Sequence, residues 1–169
     1  MSAEHDDLAE RFAAALKLVG GVTVRAVSHE AALEEARRVC GDRPVVVDDD
    51  PVLSGAADGL RTVDDPWTAE VGVSTARAAV AETGSLAVTS DAAHPRSTSL
   101  VPPVHVAVVP EDRLVNAYPD AINVLAALNP TPSGMSMITG TSSTGDIEMI
   151  LVRGVHGPQE VHVILYPAG

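Results

Sequence analysis

The stretch Ile138-Thr-Gly-Thr-Ser-Ser-Thr-Gly-Asp-Ile-Glu148 carries a dense set of groups able to hold an anion. An apolar run passes into Thr139, Gly140, Thr141, Ser142 and Thr144, and the spacing that follows predicts a helix over 143–152. Free backbone N–H groups, the positive end of a helix dipole and short hydroxyls would converge there, an arrangement suited to a carboxylate or a phosphate. The Gly-Lys-Ser/Thr ending of a nucleotide-binding P-loop is missing. Asp146 and Glu148 fall in the first turn, where the dipole favours carboxylates in any case, so Asp146 would orient hydroxyls rather than touch a ligand. An ordinary Ser/Thr-capped helix start fits the same residues, and the sequence leaves both readings open.

Ala81-Glu-Thr-Gly-Ser85 sets an acidic group and two hydroxyls on a turn into a strand, making Glu82 a candidate nucleophile or general base, with Thr83, Gly84 and Ser85 beside it. The plainer reading of Glu82 is a surface carboxylate closing a helix before Gly84. Arg96 and Arg153 flank these segments, and either could neutralise a carboxylate through a forked hydrogen bond. His156, in Gly154-Val-His-Gly-Pro158, is held in a tight loop that permits close backbone approach. The six His residues show no HxH or HExxH spacing, so no metal site is expected. His105 and His162 fall inside strand-like runs and read as core or interface imidazoles.

These segments need a scaffold. Leu8, Phe12, Ala15, Leu16 and Val19 recur at helical spacing over 3–19 and stop at Gly20-Gly21. A strand over 22–27 follows, then a helix with Ser28 as N-cap ending at Gly41, then the continuous apolar run Pro44–Asp48 of a parallel strand buried on both faces. Residues 49–69, rich in Asp, Pro and Gly, read as loops with a short helix. Beyond them come a strand at 71–74, a helix over 76–83, strands at 85–90 and 104–110, a helix at 119–128, a strand at 135–139, the helix at 143–152 and a strand at 161–166. The alternation predicts βαβ units in an α/β domain with a mostly parallel sheet.

Composition narrows the function. Apolar residues make up 46% of the 169 but aromatics only 2%, so one core packed with Val, Ala, Leu and Ile is expected. A formal charge of −12 argues against nucleic acid and anionic membrane surfaces as partners, while a local Arg and backbone N–H groups can still hold a small anion. Cys40 is the single cysteine, too few for an internal disulfide or for an iron–sulfur cluster, so no cofactor is expected in this chain. The acidic start and the absence of an 18-residue apolar run predict a cytoplasmic protein without membrane insertion.

Taken together and in order, Ala81–Ser85, Arg96-Ser-Thr-Ser-Leu-Val-Pro-Pro-Val-His105, Ile138–Glu148 and Leu151–Pro158 resemble the lactate-utilization protein C family, also called the LUD-domain or LutC/YkgG family. The resemblance is close over 71–166 and general over 1–70, within a single domain spanning 1–169. Gly140-Thr141-Ser142 stands where the family usually has Gly-Pro-Ser, and Gly145 where it usually has Ala. The resemblance implies a three-layer Rossmann-like sandwich similar to the sugar-phosphate isomerase and CoA-transferase group. It also implies an auxiliary, clusterless subunit of a system that oxidises L-lactate to pyruvate, with iron–sulfur clusters on partner subunits. A small carboxylate would then sit among Thr83, Gly84, Ser85, Arg96, Thr139, Gly140, Thr141, Ser142, Thr144, Asp146 and His156. Two further readings stay open: a stand-alone transferase or hydrolase on an acyl-CoA or phosphorylated molecule with Glu82 as nucleophile, and a sensor or scaffold binding a 2-hydroxy or 2-keto acid.

Overall fold

Continuous apolar runs build the centre of the molecule. The computed structural model describes residues 3–91, 93–145, 151–153 and 157–168, with the side chains of 6–91, 93–143 and 157–168. Helix α1 (Ala3–Leu18) leads into β1 (Val22–Arg25), α2 (His29–Cys40), β2 (Val45–Val47) and β3 (Val71–Ser74). With β6 (Val104–Pro110) and β11 (Glu160–Tyr166) these strands form a five-stranded sheet in the order β1-β11-β6-β3-β2, parallel at every pairing. Every residue of β3 and β6 is buried, as strands covered on both faces require.

One face packs on α2, whose Ala32, Leu33, Ala36 and Cys40 meet Val71, Val73, Val106 and Ile164. Ser28 caps that helix by accepting the Ala31 N–H at 3.1 Å, and Gly41 closes it, both as the sequence predicts. The opposite face meets Ala9, Phe12 and Leu16 of α1 through Ala107, Val109, Val163 and Leu165.

A second sheet covers the α1 side. Its strands are β4 (Ala78–Val80), β5 (Ser85–Ser90), β7 (Leu114–Val115) and β8 (Gly134–Thr139), ordered β7-β4-β5-β8, with β5 antiparallel to both neighbours. Ala79, Ala81, Leu86 and Val88 face α1, whereas Ala78, Val80 and Ala87 face Ala121 and Leu125 of α4 (Tyr118–Ala126). The protein is therefore a mixed α/β fold whose central sheet is parallel and flanked by helices.

Two expected helices are corrected. Residues 76–83 form β4 and a turn, because a strand sandwiched between α1 and α4 needs small side chains on both faces, and alternating Ala satisfies that in spite of its helix propensity. The helix expected at 143–152 is replaced, over the described residues, by β9 (Ser143–Gly145) paired antiparallel with β10 (Leu151–Arg153). Thr144 is in register with Val152 in that ladder, and β-branched residues suit strands better than a helix. Among the described residues no helix starts at Ser142–Gly145. A short helix, α3 (Arg96–Leu100), lies between the strands expected at 85–90 and 104–110.

Candidate functional site

The antiparallel pair β5–β8 runs the length of the second sheet, and groups able to do chemistry gather at both of its ends. Ser85 pairs with Thr139 at one end and Ser90 with Gly134 at the other, five residues or roughly 17 Å along the strand.

The first end holds much of what the sequence singles out. Ser85, itself buried, hydrogen-bonds Thr83 at 2.7 Å and Thr139 at 2.6 Å, a chain of three hydroxyls. Gly84 and Gly140 both adopt φ +68°, and a Cβ on either would strike α1 or its end: 2.4 Å from the Leu16 nitrogen and 2.2 Å from the Val19 carbonyl oxygen. These glycines let two turns press backbone to backbone against the helix. Thr141 continues the contact, donating its N–H to Val19 at 3.2 Å, and the Ser142 N–H goes to the Pro158 carbonyl at 2.8 Å. Glu82 is exposed, and its carboxylate accepts the Tyr118 N–H at the start of α4, 3.2 Å away.

Arg96 lies elsewhere. It opens α3 beside Gly134, its Cδ 3.8 Å from where a Cβ of that glycine would stand, and so belongs to the far end of the β5–β8 ladder from Thr139. Thr144 is a residue of β9 and Arg153 of β10, while Asp146, Glu148 and His156 fall outside the described residues. His105 is a core imidazole: fully buried, hydrogen-bonded to Ser74 at 2.8 Å, and pushed down to about 4 by desolvation, hence neutral. His162 lies 3.2 Å from Glu160.

The second end lies just beyond the carboxyl ends of β2 and β3, where ligands of parallel α/β sheets commonly bind. His94 is clasped there between two carboxylates, Nδ1 2.7 Å from Asp91 and Nε2 2.9 Å from Asp50. Burial works against its charge, but the hydrogen bonds to Asp91 and Asp50 outweigh it and hold the imidazole above its ordinary pKa. Asp50 is buried, a cost that the Val52 N–H and His94 more than offset, so its carboxyl titrates low; the His94 hydrogen bond keeps Asp91 low as well. Asp48 behaves differently. Burial raises it to about 6, the Thr98 hydroxyl beside it offsets only part of this, and one of its oxygens has no hydrogen-bond partner. Arg77 stands across from this group, its Nε donating to Thr89 at 3.2 Å and its Nη1 3.8 Å from Asp50. An open cleft of about 310 Å³ adjoins Arg77, Thr89 and Asp91 and is closed on its other side by residues 128–133. Among the described residues no group of three or more His, Cys, Asp and Glu is arranged to hold a metal ion, and no helix is long and apolar enough to cross a membrane.

Residues 56–166 match the family model of the LUD domain. The chain belongs to the LUD domain family. A protein named Lactate utilization protein C from Exiguobacterium sp. is 36% identical over 101 residues, which cover 57% of this LUD protein and 44% of the relative. One of the same name from Bacillus licheniformis is 29% identical over 164 residues, covering 81% and 68% respectively. By its strongest alignments the LUD chain spans about half the length of the curated relatives it matches. The crystal structure of a DUF162 family protein from Deinococcus radiodurans shares the fold, with a TM-score of 0.77 over 98% of this chain and 99% of that one at 19% identity.

Sequence reasoning passed over Asp48, Asp50, Arg77, Thr89, Asp91 and His94. A signal was present: an acidic run directly after a continuous apolar strand marks the carboxyl edge of a parallel sheet, and Asp91 three residues before His94 forms a turn in which the carboxylate accepts the Ala93 and His94 N–H groups.

Proposed function

We propose that this LUD protein works in L-lactate utilization, in the cytoplasm, as a clusterless component of a system whose partner subunits carry the iron–sulfur clusters, and that its own task is to bind a small carboxylate. The observation that carries this reading is the 36% identity with Lactate utilization protein C over 101 residues. A cluster needs several thiolates, and this chain has Cys40 alone, fully buried, with burial pushing its thiol up to about 11.

The geometry favours binding over covalent chemistry at the groups described. Glu82 is exposed, and its carboxylate is tied to the Tyr118 backbone N–H. Among the described residues Ser85 has only other hydroxyls as side-chain partners, and the hydrogen-bonded pair Ser74–His105 is sealed in the core with an imidazole too weakly basic to serve near neutrality.

Deleting the gene from its host and scoring growth on L-lactate as sole carbon source tests the role. Growth should fail and return with the wild-type chain, and lactate-dependent dye reduction should co-purify with the tagged protein together with iron–sulfur subunits. Undiminished growth in a host without another lactate oxidase would overturn the reading.

A further inference from the structure

Most polar groups near the carboxyl edge are spent on one another; apart from Asp48 and Thr98, whose unpartnered oxygens are buried away from it, two charged groups with unused atoms border one cleft. Arg77 is largely buried, its side chain 27% exposed, and uses only Nε, in the bond to Thr89; among the described residues its Nη groups have no hydrogen-bond acceptor, since Asp50 at 3.8 Å is an ion-pair neighbour only. Asp91 places all its accepted bonds on Oδ1, from His94 Nδ1 and from the N–H groups of Ala93 and His94, which leaves Oδ2 free among the described residues. A forked donor and a single carboxylate oxygen thus border one cavity, with Thr89 and Ser133 among its other polar walls.

The cleft's size and charge restrict what can enter. A volume of about 310 Å³ corresponds to on the order of ten waters, enough for a small organic acid with its hydration. His94 is shared between Asp50 and Asp91, and Arg77 Nη1 stands 3.8 Å from Asp50 without a hydrogen bond, so the Arg77 fork is available to an external anion. The free Asp91 oxygen accepts a proton donor and repels a second anion, which sets the ligand's other end.

We propose that this cleft binds a small monocarboxylate carrying a hydrogen-bond donor on the neighbouring carbon, a 2-hydroxy or 2-amino acid, with Arg77 forked on the carboxylate and Asp91 Oδ2 accepting from the hydroxyl or ammonium. His94 touches no ligand in this arrangement. It is a positioning residue that, with Asp50 behind it, fixes which oxygen of Asp91 is left for the ligand. The ligand class deepens the lactate reading above, whereas the location rests on the cleft alone.

Calorimetric titration of the full chain with L-lactate, L-alanine, pyruvate and propionate is the deciding experiment. L-lactate or L-alanine should bind one to one, and pyruvate and propionate, which lack the donor, more weakly. Which of the first two binds tighter separates a hydroxy acid from an amino acid. Arg77→Met should weaken binding of the preferred acid about tenfold or more, and Arg77→Lys, which keeps the charge and loses the fork, by less. Asp91→Asn should collapse the preference over propionate while affecting propionate itself little. Unchanged affinity in both Arg77 variants with an unaltered melting temperature would overturn the proposal. So would absence of binding by all four acids, or loss of binding on Thr139→Val in place of Arg77→Met. Growth and binding fail separately: a chain needed for lactate growth that Arg77→Met fully restores keeps the pathway role and loses this site, while a chain dispensable for growth that binds through Arg77 does the reverse.

Discussion

The two ends of the β5–β8 ladder use polar residues in opposite ways. Around Ser85 and Thr139 the hydroxyls of the described residues bond one another, and the glycines let turns press on α1. Around Arg77 and Asp91 the side chains are charged and incompletely bonded among the described residues, and that of Arg77 is largely buried. Conspicuous motifs can therefore mark how a fold is closed, while the open valences lie on less conspicuous residues one strand-length away.

This contrast breaks or sharpens under mutation. The largest effect belongs to the packed end: Gly140→Ala or Gly84→Ala must move α1 or abandon φ +68°, and each should cost about 3–5 kcal/mol in urea unfolding. A cost below about 1 kcal/mol would show that the contact yields easily and would dissolve the distinction between the ends.

Asp48 tests the charged end with the opposite sign. Its folded pKa of about 6 lies above the unfolded value near 3.9. The folded state therefore holds more protons between those values, and stability falls as pH rises through that window, with the full cost above it. Asp48→Asn should thus stabilise the protein by about 2 kcal/mol at pH 8 and by almost nothing at pH 4. Equal gains at both pH values would mean that ionisation is not what burial opposes.

His94 should behave as a cation gained on folding. Its raised pKa contributes stability that is fully present below the unfolded value near 6.5 and lost as pH climbs through the folded one. His94→Gln should therefore cost about 1–2 kcal/mol at pH 6 and distinctly less at pH 9, read from melting temperatures. The smallest effect returns to the neutral end: Ser85→Ala removes the middle of the hydroxyl chain and should cost about 1 kcal/mol, equally at pH 5 and pH 9. A pH-dependent cost at Ser85 would show that the two ends communicate.

Local signals carried most of the fold. Ser28 and Gly41 bracket α2 because capping is a property of a few adjacent residues, and the valine runs of β2, β3 and β6 announce strands buried on both faces. Ala78–Ala81 misleads because alanine favours a helix intrinsically and a sandwiched strand sterically, and only the layers around it decide. The hydroxyls of Ser85 and Thr139 were legible as a group, since antiparallel pairing brings together two short motifs. Arg96 was legible as a residue but not in place, its distance from Thr139 being fixed by the register of β5 on β8. The clasp of His94 by Asp50 spans 44 residues of sequence and follows no local spacing, so it became visible only when β2 and the turn after β5 met at one edge.

Cys40 has a practical consequence. It is the last residue of α2, wholly buried in the core, and stays protonated far above neutral pH. The native chain thus offers thiol-directed reagents almost no reaction, which makes it a silent background for probes. A cysteine introduced on the rim of the cleft, at Thr131 for example, would accept a fluorophore or spin label selectively. Occupancy could then be followed in the folded protein without first removing a native residue.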